Sequence, residues 1–182
     1  DFQPYEMTLH GGQSDAHVYD LVIQELDQGR NVVFEWNSRN HIPVTDTYQP
    51  LTDAIVDYVH GNAVEQDSDG NLLLSSRHLS EVTKINRETG QIMWRLGGKN
   101  NQFTFLGDPV LAGGGAFSYQ HDIRRLANGH VTIFYNGNQF IAAGQRGSRG
   151  VEYALDEVNK TATLVRELRT TPDIVSLFMG NV

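Results

Sequence analysis

The sequence predicts an all-β protein, and the order of its strands resembles blades of a β-propeller. Short apolar runs recur along the 182 residues, and clusters of Gly, Asn and Asp separate them. Such runs are typical of strands joined by tight turns. Between Tyr58 and Gly98 four of these runs follow one another within about 40 residues, which matches one propeller blade in length and strand count.

The chain divides into blade-like units under this prediction. A complete blade is expected at residues 57–98 and a second at 117–169, each with four strands. A partial blade is expected at 17–38, where the run His17–Leu26 and the run Val32–Trp36 flank a turn. Long connections lie between the units. One covers 37–56 and another ends in Gly113-Gly-Gly115, which is no phosphate-binding loop because no Lys-Ser/Thr pair follows.

An internal repeat supports the division into blades. The segment HGNAVEQDSDGNLLLSS, from His60, aligns with QHDIRRLANGHVTIFYN, from Gln120, and this alignment makes His60 and His121 equivalent. The tail at 178–182 repeats the beginning of the central unit. Because a propeller must close to cover its sheet edges, residues 1–182 are expected to be part of one propeller domain of a longer polypeptide. A small open sandwich of the same strands is the alternative.

Composition excludes several classes of function. The net charge is −8, which disfavours nucleic acid as a partner. The absence of cysteine excludes disulfides, thiolate metal sites and a cysteine nucleophile. No apolar run approaches the ~20 residues of a membrane-spanning helix, so no membrane span is expected.

Polar residues at predicted strand ends are the candidates for chemistry. His60 and Asn62 begin one inner strand, and Arg77-His78 ends the next. His121 begins the inner strand of the following blade. Inner strands of a propeller line a central channel, so their ends converge at one mouth, and His41 in the long connection is a further candidate there.

Histidines beside an arginine indicate either a metal site or transfer of an anionic group. The fixed positive charge of Arg77 opposes a metal ion, so group transfer is favoured, with neither a metal nor a cofactor. Each histidine has a structural alternative. For His78, a role in supporting other residues weighs as much as contact with substrate, and His130 is expected to be a solvated turn residue.

Three ordered motifs carry a family resemblance: GNLLLSSRHLSEVTKINRETGQIMWRLGGKNNQF, FSYQHDIRRLANGHVTIFYNG and SRGVEYALDE. The sequence resembles the arylsulfotransferase family, in particular its fungal and bacterial arylsulfotransferase-like branch. The resemblance implies a six-bladed β-propeller. It also implies transfer of a sulfuryl group between phenolic compounds through a sulfated histidine, without a nucleotide sulfate donor.

The resemblance also implies roles for individual residues. The family's His-x-Asn motif falls on His60 and Asn62, its strand-end arginine on Arg77, and the histidine that becomes sulfated on His121. The family uses another histidine from an earlier blade, for which His41 is the candidate by loop position. Arg77, His60 and Asn62 would orient the sulfuryl oxygens.

Two other classes of function stay open. The same scaffold could bind a small molecule or catalyse a different reaction, and a propeller can also be a non-catalytic interaction module. The expected partners are a small phenolic substrate and the remainder of the propeller chain. No signal peptide is visible, but the glycosylation sequon Asn159-Lys-Thr161 favours a secreted or periplasmic-type protein.

Overall fold

The structure, a computed structural model, describes residues 2–112, 117–138 and 147–182. Within these ranges every regular element is a strand or a single-turn 3₁₀ helix, so the all-β prediction is confirmed. The predicted loop at Gly113-Gly-Gly115 lies outside the described residues. No helix in the described ranges is long and apolar enough to cross a membrane.

Fourteen strands are described in chain order. They are β1 (Phe2–Tyr5), β2 (Ala16–Tyr19), β3 (Val22–Leu26), β4 (Val32–Asn37), β5 (Ile55–Asp57), β6 (Gly61–Gln66), β7 (Leu72–Ser76), β8 (Glu81–Ile85), β9 (Ile92–Gly97), β10 (Thr104–Leu106), β11 (His121–Arg125), β12 (Val131–Tyr135), β13 (Arg149–Asp156) and β14 (Thr161–Leu168). The 3₁₀ helices are Thr8–His10, Ser38–Asn40 and Val44–Asp46.

The strands form four separate sheets. β6 to β9 make one antiparallel four-stranded meander, and β11 to β14 make another, to which β10 adds in parallel beside β14. β1, β2 and β5 form a third sheet, and β3 pairs with β4 in a hairpin. These sheets agree with part of a β-propeller, and the described residues form no closed barrel. The division of the chain into blades stays a prediction.

The predicted strand His17–Leu26 is in fact two strands in different sheets. β2 ends at Tyr19 and β3 begins at Val22. Between them Asp20 is buried and its Oδ2 accepts a hydrogen bond from Arg39 Nε at 2.6 Å. This ion pair, with Asp20 buried and Arg39 partly exposed, lies at the bend where the chain passes from one sheet to the other.

Strand β7 packs on both faces. Leu73 joins a cluster between the two meanders, and Leu74 joins a cluster towards β2 and β4. Successive side chains of a strand point to opposite faces, so one sheet can contribute to both neighbours in this way. The two tryptophans bridge between sheets: Trp36 Nε1 donates to the carbonyl of Gly90 at 3.0 Å, and Trp94 Nε1 to Glu157 at 2.9 Å.

A buried ion network joins the two meanders. Lys84, whose side chain is 3% exposed, lies 2.9 Å from Asp67, 2.7 Å from Asp69 and 3.0 Å from Glu157. Arg125 Nε donates to the same Asp67 at 2.6 Å. Since Lys84 belongs to the first meander and Arg125 and Glu157 to the second, the network fixes one sheet against the other.

Candidate active site

Three strand ends meet where the candidate residues lie. β6 begins after His60, β7 ends before Arg77, and β11 begins at His121. Because β6 and β7 are antiparallel, the start of one lies beside the end of the other, and Arg77 N donates to the carbonyl of His60 at 2.9 Å. Asn62 Nδ2 donates to the carbonyl of Gln120 at 2.8 Å, which ties β6 to the start of β11.

His121 is held in one tautomer. Its Nδ1 lies 2.8 Å from Oδ1 of Asn136 and 3.0 Å from the carbonyl oxygen of Tyr119. Both partners are acceptors, because the amide nitrogen of Asn136 is occupied by the carbonyls of Ser176 and Met179. Nδ1 therefore carries the proton, and Nε2 keeps a lone pair.

The surroundings keep His121 neutral. Burial lowers its pKa, and the nearby charges of Arg77 and His60 lower it further. The hydrogen bonds that His121 donates to Asn136 and Tyr119 act in the opposite direction but do not outweigh burial. A buried imidazole in its neutral form, whose Nε2 has no hydrogen-bond partner in the part of the chain that the structure describes, is suited to act as a nucleophile.

Arg77 is stacked, and no carboxylate pairs with it in the ranges the structure covers. Its Cζ lies 3.9 Å from the centre of the Tyr119 ring and 5.7 Å from that of Phe178. Gln49, from the long connection 37–56, donates to the hydroxyl of Tyr119 at 2.6 Å and so helps to hold the ring. A cation placed on an aromatic face, without a carboxylate partner, is available to an anionic group.

His78 supports Arg77 and leaves no ring nitrogen free. Its Nε2 accepts a hydrogen bond from Nη1 of Arg77 at 2.7 Å. Its Nδ1 donates to the carbonyl of Asp57 at 2.5 Å. Burial lowers the pKa of His78, in agreement with the unprotonated Nε2 that accepts from Arg77. This geometry favours the supporting role considered for His78, and a contact with substrate stays a prediction.

His60 pairs with Asp57, which sequence reasoning did not single out. The Nδ1 of His60 donates to Oδ2 of Asp57 at 2.5 Å, and the side chain of His60 is 44% exposed. Burial would raise the pKa of Asp57, but the hydrogen bond and the charge of His60 hold it below its usual value. The available signal was the spacing, since Asp57 ends β5 only three residues before His60.

A family model described as Arylsulfotransferase (ASST) matches residues 2–182. The chain belongs to the arylsulfotransferase family. The resemblance seen in the sequence motifs is thereby confirmed, and the family indicates a transferase. A comparison with curated proteins returned no match.

His41 does not lie with the other candidates of this arylsulfotransferase family member. Its ring stacks on Trp36, with centroids 5.1 Å apart and an angle of 10° between the planes. It also lies against Gly90, in the turn after β8. That turn is at the Ile85 end of the sheet, opposite the Ser76 end where Arg77 follows. The 3₁₀ helix Ser38–Asn40 turns the chain between the two residues, so that the ring of His41 returns to the buried Trp36. A contact between His41 and substrate stays a prediction.

The amide of Asn62 is partly engaged within the protein. Its nitrogen donates one of its two hydrogens to the carbonyl of Gln120. Its Oδ1 is buried and has no hydrogen-bond partner among the described residues. The second hydrogen on the nitrogen is the group that could reach sulfuryl oxygens, so this role of Asn62 stays a prediction.

Two cavities flank the start of β6. One, of about 320 Å³, is lined by Asp57, His60 and Gly61 together with the segment 19–21. The other, of about 440 Å³, is lined by Asn62 and His121 and by Met179 of the C-terminal segment. Both are large enough for a phenol-sized molecule.

Asp57, His60 and His78 offer ligand atoms within 4.8 Å of one another, a spacing that a metal ion could use. The hydrogen bonds argue against that use. Because Arg77 can only donate, Nε2 of His78 must be unprotonated and its Nδ1 must carry the hydrogen. With Nδ1 protonated and Nε2 accepting from Arg77, His78 has no free lone pair for a metal, so the three residues form a hydrogen-bonded network in this arrangement.

The structure corrects the repeat alignment. The turn glycines Gly70 and Gly129 have nearly equal φ angles, +85° and +84°, and are 59 residues apart. The same offset relates His60 to Tyr119, which share a left-handed φ of 49° and 55°. Asn62 is thus the counterpart of His121, and the predicted equivalence of His60 and His121 was wrong.

The corrected offset also identifies a residue that the sequence analysis missed. Asn136 takes the position of Arg77, directly after the second strand of its meander. Each side chain is hydrogen-bonded to a histidine ring: Arg77 donates to His78, and Asn136 accepts from His121. A repeat aligned on its turns would have identified Asn136.

Proposed function

We propose that this protein transfers a sulfuryl group from one phenolic ester to another phenol through a sulfated His121, without a nucleotide donor. The observation that carries the proposal is the double acceptor at Nδ1 of His121. Asn136 and Tyr119 fix the proton there and leave Nε2 as the nucleophile. Arg77, stacked on Tyr119 without a carboxylate partner among the described residues, is the cation for the sulfuryl oxygens.

The transfer has two balanced halves. In the first, Nε2 of His121 forms a bond to sulfur, the bond from sulfur to the aryl oxygen breaks, and the electron pair leaves with the phenolate. In the second, the oxygen of an acceptor phenol attacks sulfur, the sulfur–nitrogen bond breaks, and its electron pair returns to Nε2. Arg77 stabilises the charge on the oxygens in both halves.

Phenolic substrates fit the walls of this region. Phe178 lies 5.7 Å from the Arg77 guanidinium and Met179 lines the cavity at His121. Both side chains are largely exposed, so their apolar surface is available to an aromatic ring.

Intact-protein mass spectrometry after mixing with a chromogenic aryl sulfate tests the proposal. A transient gain of one sulfuryl group that maps to His121, and that His121→Ala abolishes, is the expected result. His130→Ala is the matched control, because His130 pairs with Glu152 on the same meander outside the site. Release of phenol without an adduct on His121 would rule out the pathway through a sulfated histidine. Binding of the ester without release would favour a binding propeller.

A further inference from the structure

We propose that Asp57 is a positioning residue that makes His60 the proton carrier of the reaction. His60 would give its Nε2 proton to the leaving phenolate and take one from the acceptor phenol. The inference rests on the proposed function and assigns the proton that sulfuryl transfer must move. It gives the two histidines separate tasks.

Asp57 accepts two hydrogen bonds from His60. Oδ2 of the carboxylate accepts from the ring Nδ1 at 2.5 Å, and Oδ1 accepts from the backbone nitrogen of the same residue at 3.2 Å. His60 has a left-handed φ of 49°, which non-glycine residues rarely adopt. The carboxylate thus fixes the ring and braces the backbone that carries it, and Nε2 is the only ring nitrogen left for chemistry.

The two histidines differ in what faces Nδ1. For His121 the partners are neutral, an amide oxygen and a backbone carbonyl. For His60 the partner is a carboxylate, which accepts the hydrogen on Nδ1. His121 is buried, whereas His60 is open enough to exchange protons with water. The buried ring between neutral acceptors suits the nucleophile, and the accessible ring beside a carboxylate suits proton transfer.

Other charged groups around His60 are already engaged. The ring of His78 lies 4.5 Å from that of His60, but both its nitrogens are hydrogen-bonded. Asp20, which lines the same cavity, is paired with Arg39. Among the described residues of that cavity, Asp57 is thus the carboxylate in contact with His60.

The protons balance over the two halves. As the bond from sulfur to the donor oxygen breaks, the proton on Nε2 of His60 moves to the departing oxygen and leaves His60 neutral. As the acceptor oxygen attacks sulfur, its proton moves to Nε2 and restores the starting state. No further reactant is required.

The test is a series of aryl sulfates whose phenols span a range of acidity. Good leaving groups need little help from an acid, and poor ones need much. Asp57→Asn keeps an acceptor for Nδ1 but removes the charge. We expect histidine sulfation by this variant to fall several-fold with the most acidic phenol and on the order of 100-fold with the least acidic. Asp53→Asn removes an exposed carboxylate just before β5 and is the matched control.

A double variant separates positioning from a general structural effect. If Asp57 acts through His60, Asp57→Asn should add little to the loss caused by His60→Gln, because residues that act as a unit are not additive. Equal losses along the ester series, or additive losses in the double variant, would overturn the proposal. So would sulfation that a chelator abolishes and zinc restores, since the same residues would then bind a metal.

The failure of the proposed function looks different. In that case the unmodified protein gives no adduct at His121 with any ester of the series. In the other case the adduct forms, and its rate depends on leaving-group acidity to the same extent in the wild type and in Asp57→Asn. That result would overturn the proton-carrier role of His60 and leave the proposed function standing.

Discussion

The side-chain amide of Asn136 accepts a hydrogen bond from His121 with its oxygen and donates to the C-terminal segment with its nitrogen. Its Oδ1 lies 2.8 Å from Nδ1 of His121, and its Nδ2 lies 3.1 Å from the carbonyl of Ser176 and 2.8 Å from that of Met179. If the side-chain amide of Asn136 were flipped, its oxygen would face the carbonyl oxygens of Ser176 and Met179, and no hydrogen bond could form there. The tautomer of His121, the proposed nucleophile, is therefore fixed through Asn136 by a segment that lies 40 residues further along the chain from that asparagine.

Replacing Asn136 by Ala should slow sulfation of His121 by roughly 10- to 100-fold, because a lost partner at Nδ1 frees the ring to rotate and to change tautomer. Asn138→Ala is the matched control. Asn138 also bonds the carbonyls of Ser176 and Leu177 but makes no contact with His121. Single-turnover adduct formation measures the effect. Equal losses of the sulfation rate in both variants would mean that the rate depends on the position of the C-terminal segment and not on the tautomer of His121.

The pH dependence should follow the neutral form of His121. Burial, with the charges of Arg77 and His60, places its pKa below the ordinary 6.5, so the acid limb of the pH profile should lie below that value. Arg77→Met removes a positive charge and should move this acid limb to higher pH in the residual activity. A limb that stays in place would show that Arg77 does not act on His121 electrostatically.

Arg77→Lys should lower kcat/KM by on the order of 100-fold although the charge is retained. Lysine has no planar guanidinium to stack on Tyr119 while donating to His78. Arg87→Lys is the control, since Arg87 pairs with Glu25 at an exposed position outside the site. Wild-type rates in Arg77→Lys would show that a point charge is sufficient.

Asp67 should contribute to stability above acidic pH. Its hydrogen bonds to Arg125 and Lys84 outweigh burial and lower its pKa to about 2. A carboxylate with a lowered pKa stabilises the fold fully above its unfolded value of about 3.8, and the contribution is lost as the pH falls towards 2.

Asp67→Asn should therefore lower the free energy of unfolding by about 2 to 4 kcal/mol at pH 7, and the difference from wild type should shrink as the pH falls. Denaturant titrations at several pH values measure this. Glu88→Gln, at an exposed turn, should change stability by less than about 0.5 kcal/mol. A difference that is constant with pH would exclude the ion network as the cause.

The meanders could be predicted because their information is local. Turns such as Asp67–Asn71 and Asn128-Gly129 sit between alternating runs, and the hydrogen bonds of these turns follow from their residues. The parallel pairs of β2 with β5 and of β10 with β14 were not predictable in this way. Such pairs depend on packing between distant segments, which a turn signal does not encode.

The site was predicted in its residue types but not in its connections. His60, Arg77 and His121 were identified at strand ends, and the structure brings these ends together. Asp57 and Asn136 were missed because their roles depend on contacts across a turn and across a meander. The strand register is also irregular near Asn62 and near Asp122. The sequence does not reveal these shifts, and for that reason His60 was aligned with His121. The compartment stays a prediction.

A left-handed residue lies shortly before β6, at His60, and before β11, at Tyr119, and another occurs at Met179 in the C-terminal segment, with φ angles of 49°, 55° and 58°. The same backbone conformation thus presents three different side chains: a ring beside a carboxylate, a ring beneath a guanidinium, and an apolar thioether in a cavity wall. In an enzyme of the proposed kind, substrate preference could change through a substitution at one of these positions, with the backbone that presents the side chain left unchanged.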